Sequence, residues 1–492
     1  MLLDEILSKF EGGGQKSFYS FETFILNLLK YHIEQQDKRF SVIENERGFG
    51  DAYAESGFDN FSGKTLIEIK YRLDRMPSRM LIDQLLYTLT KNERIHEFGN
   101  LIIINFKQVP QHYIKKITDE ISSLNTKLRV FIWGPDEIGK IVNKHKKQAT
   151  VIANSLFSLR LENAVTKENV DWEKEREERI EILNEVYERG QFSLFLGAGV
   201  SSSAGMPDWN TLLNSLFVSY LTKEFNDNTS VSDDDINQIV TRLNEIDEPS
   251  ALMAARYLRK GLSKEATEIK EFTKTITDNL YNLRNTSKDI NSQLILAITN
   301  LCMPRRTGAK VHSVVSYNFD DLLERQLTSK SIYHHSIYTD NEAYDPDELP
   351  VYHVHGFLPE NSKLYESLEK STLVFSEEGY HQIYAEPYHW SNLVQLTNLR
   401  ENNCLMIGLS MTDPNLRRLL DISARNTDRP KHFTFMRRMT LENFAYKKEL
   451  ENDNKMQLIK NIKGAEQFLN RHHKLNEEIM KELGVSIIWF ND

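Results

Sequence analysis

Cysteine is almost absent from this 492-residue chain, with Cys302 and Cys404 its whole complement. Two thiols are too few for a disulfide framework or a four-thiolate zinc site, so folds that depend on either are excluded and no zinc is expected. Long apolar runs are missing too. No stretch approaches the ~20 residues of a membrane-crossing helix, so no membrane partner is expected. The first ten residues carry Asp4 and Glu5 without a basic region ahead of an apolar run, and they do not read as a secretory leader. A cytoplasmic location is the expectation. Repeats and low-complexity segments are also absent.

What is present is a globular composition: 40% hydrophobic and 27% charged residues. A chain this long exceeds one hydrophobic core, so two or three domains are expected. The net charge of −10 disfavours nonspecific nucleic-acid binding by the whole surface, but the charge is uneven. Residues 1–150 hold 22 Lys and Arg against 20 Asp and Glu, a net of +2 that leaves −12 for the remainder. The run Lys144-His145-Lys146-Lys147 is a candidate basic face, read first as a solvated helix surface.

Apolar spacing predicts a helix over 17–36, strands near 49–55 and 64–71 and a helix over 79–91. Further strands are expected at Leu101–Ile104 and Val130–Trp133. This is an α/β domain over 1–150. A charged helical linker follows over 151–185, and a second α/β domain over 186–492 begins with the apolar strand Phe192–Leu196. Residues 211–300 read as a helical insertion. Strands return at Val311–Tyr317, Val351–Val354, Leu405–Gly408 and Val485–Phe490, and their alternation with helices predicts a Rossmann-like, doubly wound parallel sheet.

After Leu196 comes Gly197-Ala198-Gly199-Val200-Ser201, then Gly205-Met206-Pro207-Asp208-Trp209. Glycines at a strand end let backbone approach a diphosphate, although a lone turn of this kind is equally a tight strand-helix connection. Three later segments accompany it: Ser316-Tyr317-Asn318-Phe319-Asp320, His353-Val354-His355-Gly356, and Gly408-Leu409-Ser410-Met411-Thr412-Asp413-Pro414-Asn415. Together, over about residues 190–420, they resemble the ordered motifs of the sirtuin family, in the form found in bacterial antiphage defence domains. The resemblance implies NAD+ as substrate. Gly197, Ala198, Gly199 and Ser201 would contact its diphosphate, Gly408 and Ser410 would lie near the adenosine ribose, and Trp209 after Asp208 would cover the nicotinamide end.

Cleaving nicotinamide from ribose builds positive charge on the sugar, so the site must orient the ribose, hold the leaving amide and deprotonate an attacking oxygen. His355 is the candidate base because an imidazole accepts a proton at neutral pH, and it is preferred to His353 for the glycine that follows it. Asn318 would fix the ribose hydroxyls or the water, and Asp320 would accept from the carboxamide. Asp321 and Glu324 are expected to cap and solvate the next helix, and Asp413 is either functional or a helix start. Deacetylating sirtuins carry a four-cysteine zinc module that this chain lacks. Water is therefore the expected acceptor, with nicotinamide and ADP-ribose as products.

In the N-terminal domain, Gly50-Asp51-Ala52-Tyr53 and Ile67-Glu68-Ile69-Lys70 resemble the core of restriction-endonuclease-like, PD-(D/E)xK domains, with Glu22 on the preceding helix and Gln84 on the following one. The resemblance implies that Asp51 and Glu68 bind Mg2+ while Lys70 positions the attacking water. Asp51 is preferred to Asp59, which lies in the turn and is expected to bond backbone there. Such a domain cleaves, binds or only scaffolds.

The leading expectation is an NAD+ hydrolase acting as an antiphage effector through NAD+ depletion. Its N-terminal domain would sense or cut nucleic acid, and a repressed state would be released by DNA or a phage component, by an operon partner or by assembly into a homo-oligomer. An alternative makes it a Mg-dependent DNA nuclease governed by a nucleotide-sensing sirtuin-like domain. A protein deacetylase is the third reading.

Overall fold

The structure is a computed structural model that describes residues 2–11, 14–43, 50–73, 76–91, 97–123, 128–165, 172–208, 211–216, 266–340, 342–371, 373–374, 388–425, 427, 429–448 and 455–491, with isolated positions between them. Contacts divide the chain into two units. The first takes Met1–Val170, Ala424–Pro430 and Met439–Val485; the second takes Asp171–Ser423, Lys431–Arg438 and Ser486–Asp492. Residues 424–430 and 439–485, left with the C-terminal domain in the sequence reading, thus pack in the first unit.

In the first unit the helices α1 (Leu2–Ser8) and α2 (Gly14–Glu34) precede the strands β1 (Phe40–Val42), β2 (Ala52–Ala54) and β3 (Thr65–Lys70). Next come α3 (Ser78–Lys91), β4 (Asn100–Asn105), α4 (Gln111–Ser123), β5 (Arg129–Trp133), α5 (Pro135–Lys144), α6 (Lys146–Asn154) and α7 (Leu156–Val165). The five strands form one sheet in chain order, antiparallel from β1 to β3 and parallel from β3 to β5. Strands β3 and β4 are buried at every position, which is why they read as near-continuous apolar runs. The period-two alternation sorts their side chains. Ile67, Ile69, Ile102 and Ile104 pack with Phe21, Phe24, Ile25 and Leu28 of α2. Leu66, Leu101 and Ile103 pack with Leu81 and Leu85 of α3 and Ile117 of α4.

The second unit opens with α8 (Trp172–Arg189), β6 (Phe192–Leu196) and α9 (Ala198–Ser203). Of the expected helical insertion, residues 211–216, α10 (Ala266–Asn282) and α11 (Gln293–Cys302) are helical; residues 217–265 lie outside the described residues except at isolated positions. There follow β7 (Val311–Ser316), α12 (Leu322–Ser329), β8 (His334–Ile337), β9 (Leu349–His353), α13 (Trp390–Glu401), β10 (Asn403–Ile407), α14 (Pro414–Ala424) and β11 (His432–Arg437). The chain then returns to the first unit for α15 (Leu441–Ala445), β12 (Tyr446–Lys448), β13 (Lys455–Gln457) and α16 (Ile462–Glu482), and it ends in β14 (Val485–Phe490). The second unit's sheet has the order β14-β11-β10-β6-β7-β9-β8, and every pairing from β11 to β8 is parallel. A parallel sheet wound outward in both directions from β6 fits a Rossmann-like fold. Among the described residues no helix is long and apolar enough to cross a membrane.

A buried polar knot fastens α13 beneath the strands. The Asn398 Oδ1 accepts from Ser193 Oγ at 2.8 Å and Ser313 Oγ at 2.5 Å, while Asn402 Nδ2 donates to Ser193 Oγ at 2.8 Å. Ser193 and Ser313 sit on β6 and β7, the strands whose far ends carry the glycine turn and Asn318. Buried hydroxyls left without partners cost about 1–3 kcal/mol each. Asn398→Ala is therefore expected to lower unfolding stability by roughly 2–4 kcal/mol, read as a shift of the urea midpoint. An unmoved midpoint would show that the knot adds nothing.

Candidate active site and a carboxylate cluster

Four neighbouring strands of the second unit stop level with one another. Ile407 of β10 pairs with Leu196 of β6, Leu196 with Ser316 of β7, and Ser316 with His353 of β9. The ladder runs one step further: Gly197 N donates to Ile407 O at 2.9 Å, Tyr317 N to Leu196 O at 2.9 Å, and Val354 N to Ser316 O at 3.1 Å. Residues two past the row, Asn318 and His355, consequently leave the sheet at the same edge as Gly197 and Gly408. Here strand succession reverses about β6, the place where open α/β sheets form a ligand crevice.

The turns after β6 and β10 touch backbone to backbone. Gly199 N donates to Gly408 O at 2.9 Å. A Cβ on Gly199 would stand 2.8 Å from Gly408 Cα, and one on Gly408, whose φ is +69°, would stand 2.6 Å from Val200 N. The amides of Gly197 and Gly199 are thus engaged by the neighbouring turn. These glycines contribute closeness of approach, while Ala198 and Gly199 present exposed backbone at the start of α9. Ser201 is buried, and its hydroxyl bonds Asp320.

Asn318 Nδ2 donates to Gly197 O at 3.0 Å, and its own amide bonds Ser316 Oγ at 3.2 Å. Asp320 is buried and accepts from Leu322 N at 3.2 Å; burial pushes its carboxyl up to about 6, against the pull of Ser201 and Leu322. The two histidines diverge. His353, fully inside, places Nε2 2.6 Å from Glu324 Oε1. Burial opposes its charge, but the Glu324 carboxylate, with the Asn318 carbonyl, raises its pKa overall. His355 lies past the strand with its ring centroid 4.7 Å from that of Tyr317, and burial lowers its pKa, only partly offset by Asp413. A neutral imidazole at the strand edge is the form a base requires.

Glu324 does not solvate its helix as the sequence suggests. It is buried because its charge is met by His353 across the unit's interior. Asp321 also turns inward, toward Arg325 at 2.6 Å and the Tyr281 hydroxyl at 2.9 Å. Asp413 starts its helix, Oδ1 accepting from Leu416 N at 2.7 Å, while Oδ2 lies 3.7 Å from His355 Nε2. The sequence reading missed Tyr317, whose ring packs on His355 and whose hydroxyl donates to Gln395 Oε1. Its only signal was its place between Ser316 and Asn318. Ser410 is exposed and bonds Thr412 Oγ1 at 2.6 Å. Asp208 is exposed and caps the helix over 211–216 through Thr211 N at 2.8 Å, and Trp209 lies outside the described residues.

In the first unit the two strands bring Asp51, Glu68 and Lys70 together. Asp51 Oδ2 accepts Ile69 N at 2.5 Å, Glu68 Oε2 accepts Gly50 N, and Lys70 Nζ sits 2.5 Å from Glu68 Oε1. A residue the sequence reading never considered completes the group. Arg429 Nη2 lies 3.8 Å from Asp51 Oδ1 and 3.6 Å from Glu68 Oε1. Burial and the neighbouring Glu68 hold the Asp51 carboxyl well above its usual range. Burial also lifts Glu22, on α2, to about 7, partly countered by Arg429. Gln84 is half-buried on α3. As arranged, these groups do not fit Mg2+, because the outward oxygens of Asp51 and Glu68 already face side-chain cations. Among the described residues no set of three His, Cys, Asp or Glu side chains has metal-holding geometry. Asp59 also departs from expectation: its Oδ1 takes His32 Nε2 at 2.8 Å and Gln36 Nε2 at 2.9 Å, because its backbone at φ +44° turns the carboxylate onto α2.

Two outcomes follow from the second unit's geometry. Gly408→Ala is expected to cost roughly 2–4 kcal/mol, from strain at positive φ plus the clash with Val200 N. Gly190→Ala, at φ +79° with nothing within 4 Å, is the control that isolates the φ cost, and equal losses for the two would refute the close contact. Asp320 holds its proton more tightly folded than unfolded, so its contribution favours folding at low pH and is lost as pH rises through about 6. Asp320→Asn should therefore gain stability over the unsubstituted protein by more at pH 8 than at pH 5, a difference that paired thermal melts read directly.

No curated protein matches the chain. Residues 312–459 match the family model described as SIR2-like domain, a stretch that takes in Asn318, Asp320, His355, Gly408 and Ser410 and begins after the Gly197 turn, and this match supports a sirtuin-like C-terminal domain.

Proposed function

We propose that the second unit binds NAD+ and hydrolyses it to nicotinamide and ADP-ribose. The observation that carries this reading is the level ending of β10, β6, β7 and β9, which delivers the Gly408 and Gly197 turns, Asn318 and a neutral His355 to one edge. Extending the N-ribosyl bond leaves positive charge on the sugar and electrons on the nicotinamide ring. Asp320, ionised above about pH 6, accepts from the carboxamide. Asn318 exchanges its bond to Gly197 O for the ribose hydroxyls or the attacking water. His355 takes the proton of that water, and Asp413 stabilises the imidazolium that results, 3.7 Å away. The Gly197–Ser201 turn and the Gly408–Ser410 turn border the diphosphate and adenosine ribose, with Asp208 toward the nicotinamide end.

The match to a SIR2-like domain is consistent with an NAD-related role. Depletion of NAD+ as an antiphage response, under control of a nucleic-acid or phage trigger, an operon partner or self-assembly, is the setting that the motif resemblance implies. For the first unit we favour a restriction-endonuclease-like domain. What supports it is a helix followed by an antiparallel β1-β2-β3 and a parallel β4, with Asp51, Glu68 and Lys70 gathered on β3 and its approach. Water is preferred to acetyl-lysine as acceptor because the chain has two cysteines for a module that needs four.

The test is release of free nicotinamide from NAD+ by the purified full chain, with and without DNA and Mg2+. His355→Ala is expected to lower the rate by about 10²–10⁴-fold, with Asn318→Ala similarly impaired. If NAD+ survives every condition while DNA is nicked in a Lys70-dependent manner, the hydrolase reading fails and a nuclease with a nucleotide-sensing partner domain replaces it.

A further inference from the structure

Asp51 and Glu68 are held rigidly. One oxygen of each is pinned by a backbone amide, Asp51 Oδ2 by Ile69 N and Glu68 Oε2 by Gly50 N. The remaining oxygens, Asp51 Oδ1 and Glu68 Oε1, are therefore aimed by the strands. Both face a guanidinium, with Arg429 Nη2 3.8 Å from the first and 3.6 Å from the second, and Glu68 Oε1 also meets Lys70 Nζ at 2.5 Å. Those separations exceed the ~2.7–2.9 Å of a tight charge-assisted bond. Toward these two oxygens the arginine acts as a counter-charge set over the pair.

Arg429 is not native to the strands it neutralises. It arrives on Ala424–Pro430, a segment spliced between α14 and β11 that belongs to the first unit by its contacts. Side chains and backbone of the first unit anchor that segment. Gln15 Nε2 donates to Thr427 Oγ1 at 3.0 Å, Arg72 Nη2 donates to Arg425 O at 2.7 Å, and Gly14, at φ +82°, leaves room for Arg425 Cα where a Cβ would stand 2.6 Å away. The approach is thus built from two hydrogen bonds to the N-terminal domain and the absence of one side chain there.

We propose that Arg429 is an internal cation that closes the carboxylate pair of the first unit, so that a divalent cation enters only when the Arg429 side chain withdraws. This rests on reading the first unit as nuclease-like. A divalent ion needs carboxylate oxygens at about 2.0–2.6 Å. Arg429 Nη2 already faces both Asp51 Oδ1 and Glu68 Oε1, and its charge opposes a second cation brought between them. The domain is held shut from within the same chain, which separates possession of the acidic and basic residues from competence to use them.

The test is Mn2+ binding to the full chain, followed by electron paramagnetic resonance of the free ion and by thermal melts in Mn2+ or chelator. Arg429→Ala is expected to bind Mn2+ at least 10-fold more tightly than the unsubstituted protein and to regain in Mn2+ the melting temperature it loses in chelator. Arg429→Lys, which keeps the charge and secures folding, should gain little, and Glu68→Gln in the Arg429→Ala background should abolish the gain. Equal Mn2+ affinity with and without Arg429 would overturn the inference while leaving a nuclease-like site standing. Failure of both proteins to bind Mn2+, with no rescue of melting, would remove the cation site and the inference together.

Discussion

Everything in the second unit depends on two turns meeting without side chains between them. Gly199 donates to Gly408 O, and both positions lack the Cβ that would part β6 from β10 at their ends. With that approach in place, the ladder closes to its last rung and the four strands finish level. The row then sets the height of Asn318 and His355 above the sheet. A parallel sheet whose strand succession reverses about β6 turns that edge into a cleft, and the polar knot around Asn398 keeps the helix below from shifting the strands that carry it.

Residue type does not decide which acid or base acts; surroundings do. His353 and His355 are two positions apart, and both are buried. One faces a carboxylate at hydrogen-bond distance and is drawn toward its charged form, while the other meets an aromatic ring with a carboxylate further off and is held neutral. The acids divide in the same way. Glu324 and Asp321 are spent on internal pairs, whereas Asp320 sits where burial raises its pKa and a single hydroxyl and amide moderate the cost.

The first unit shows the same logic with charges reversed. The buried carboxyls of Asp51 and Glu68, with half-buried Glu22 on the helix beside them, would be untenable without compensation, and Lys70 and Arg429 supply it. The lysine belongs to the strand that carries Glu68. The arginine is separated from it by more than three hundred residues of chain and brings the cluster under the control of a different segment.

The local content of this protein was legible from sequence because it is written in short-range patterns. Apolar runs marked β3, β4, β6, β7 and β9, and the residues that punctuate them, Gly197, Asn318, His355 and Gly408, sit at strand ends because a strand must stop where its apolar run does. Strands β8 and β11 lack an apolar run to mark them, because His334–Ile337 is four residues opening on two histidines and His432–Arg437 begins and ends with basic residue types. Sequence alone thus determined the strands marked by apolar runs, their order and the chemical types gathered at their ends. Tertiary structure decided which histidine meets a carboxylate at 2.6 Å and which at 3.7 Å, that Asp413 turns an oxygen to His355, and that Arg429 stands over Asp51 and Glu68. Those contacts join positions with no shared periodicity, and only the closing of the sheets and the packing of distant segments brings their charges within reach.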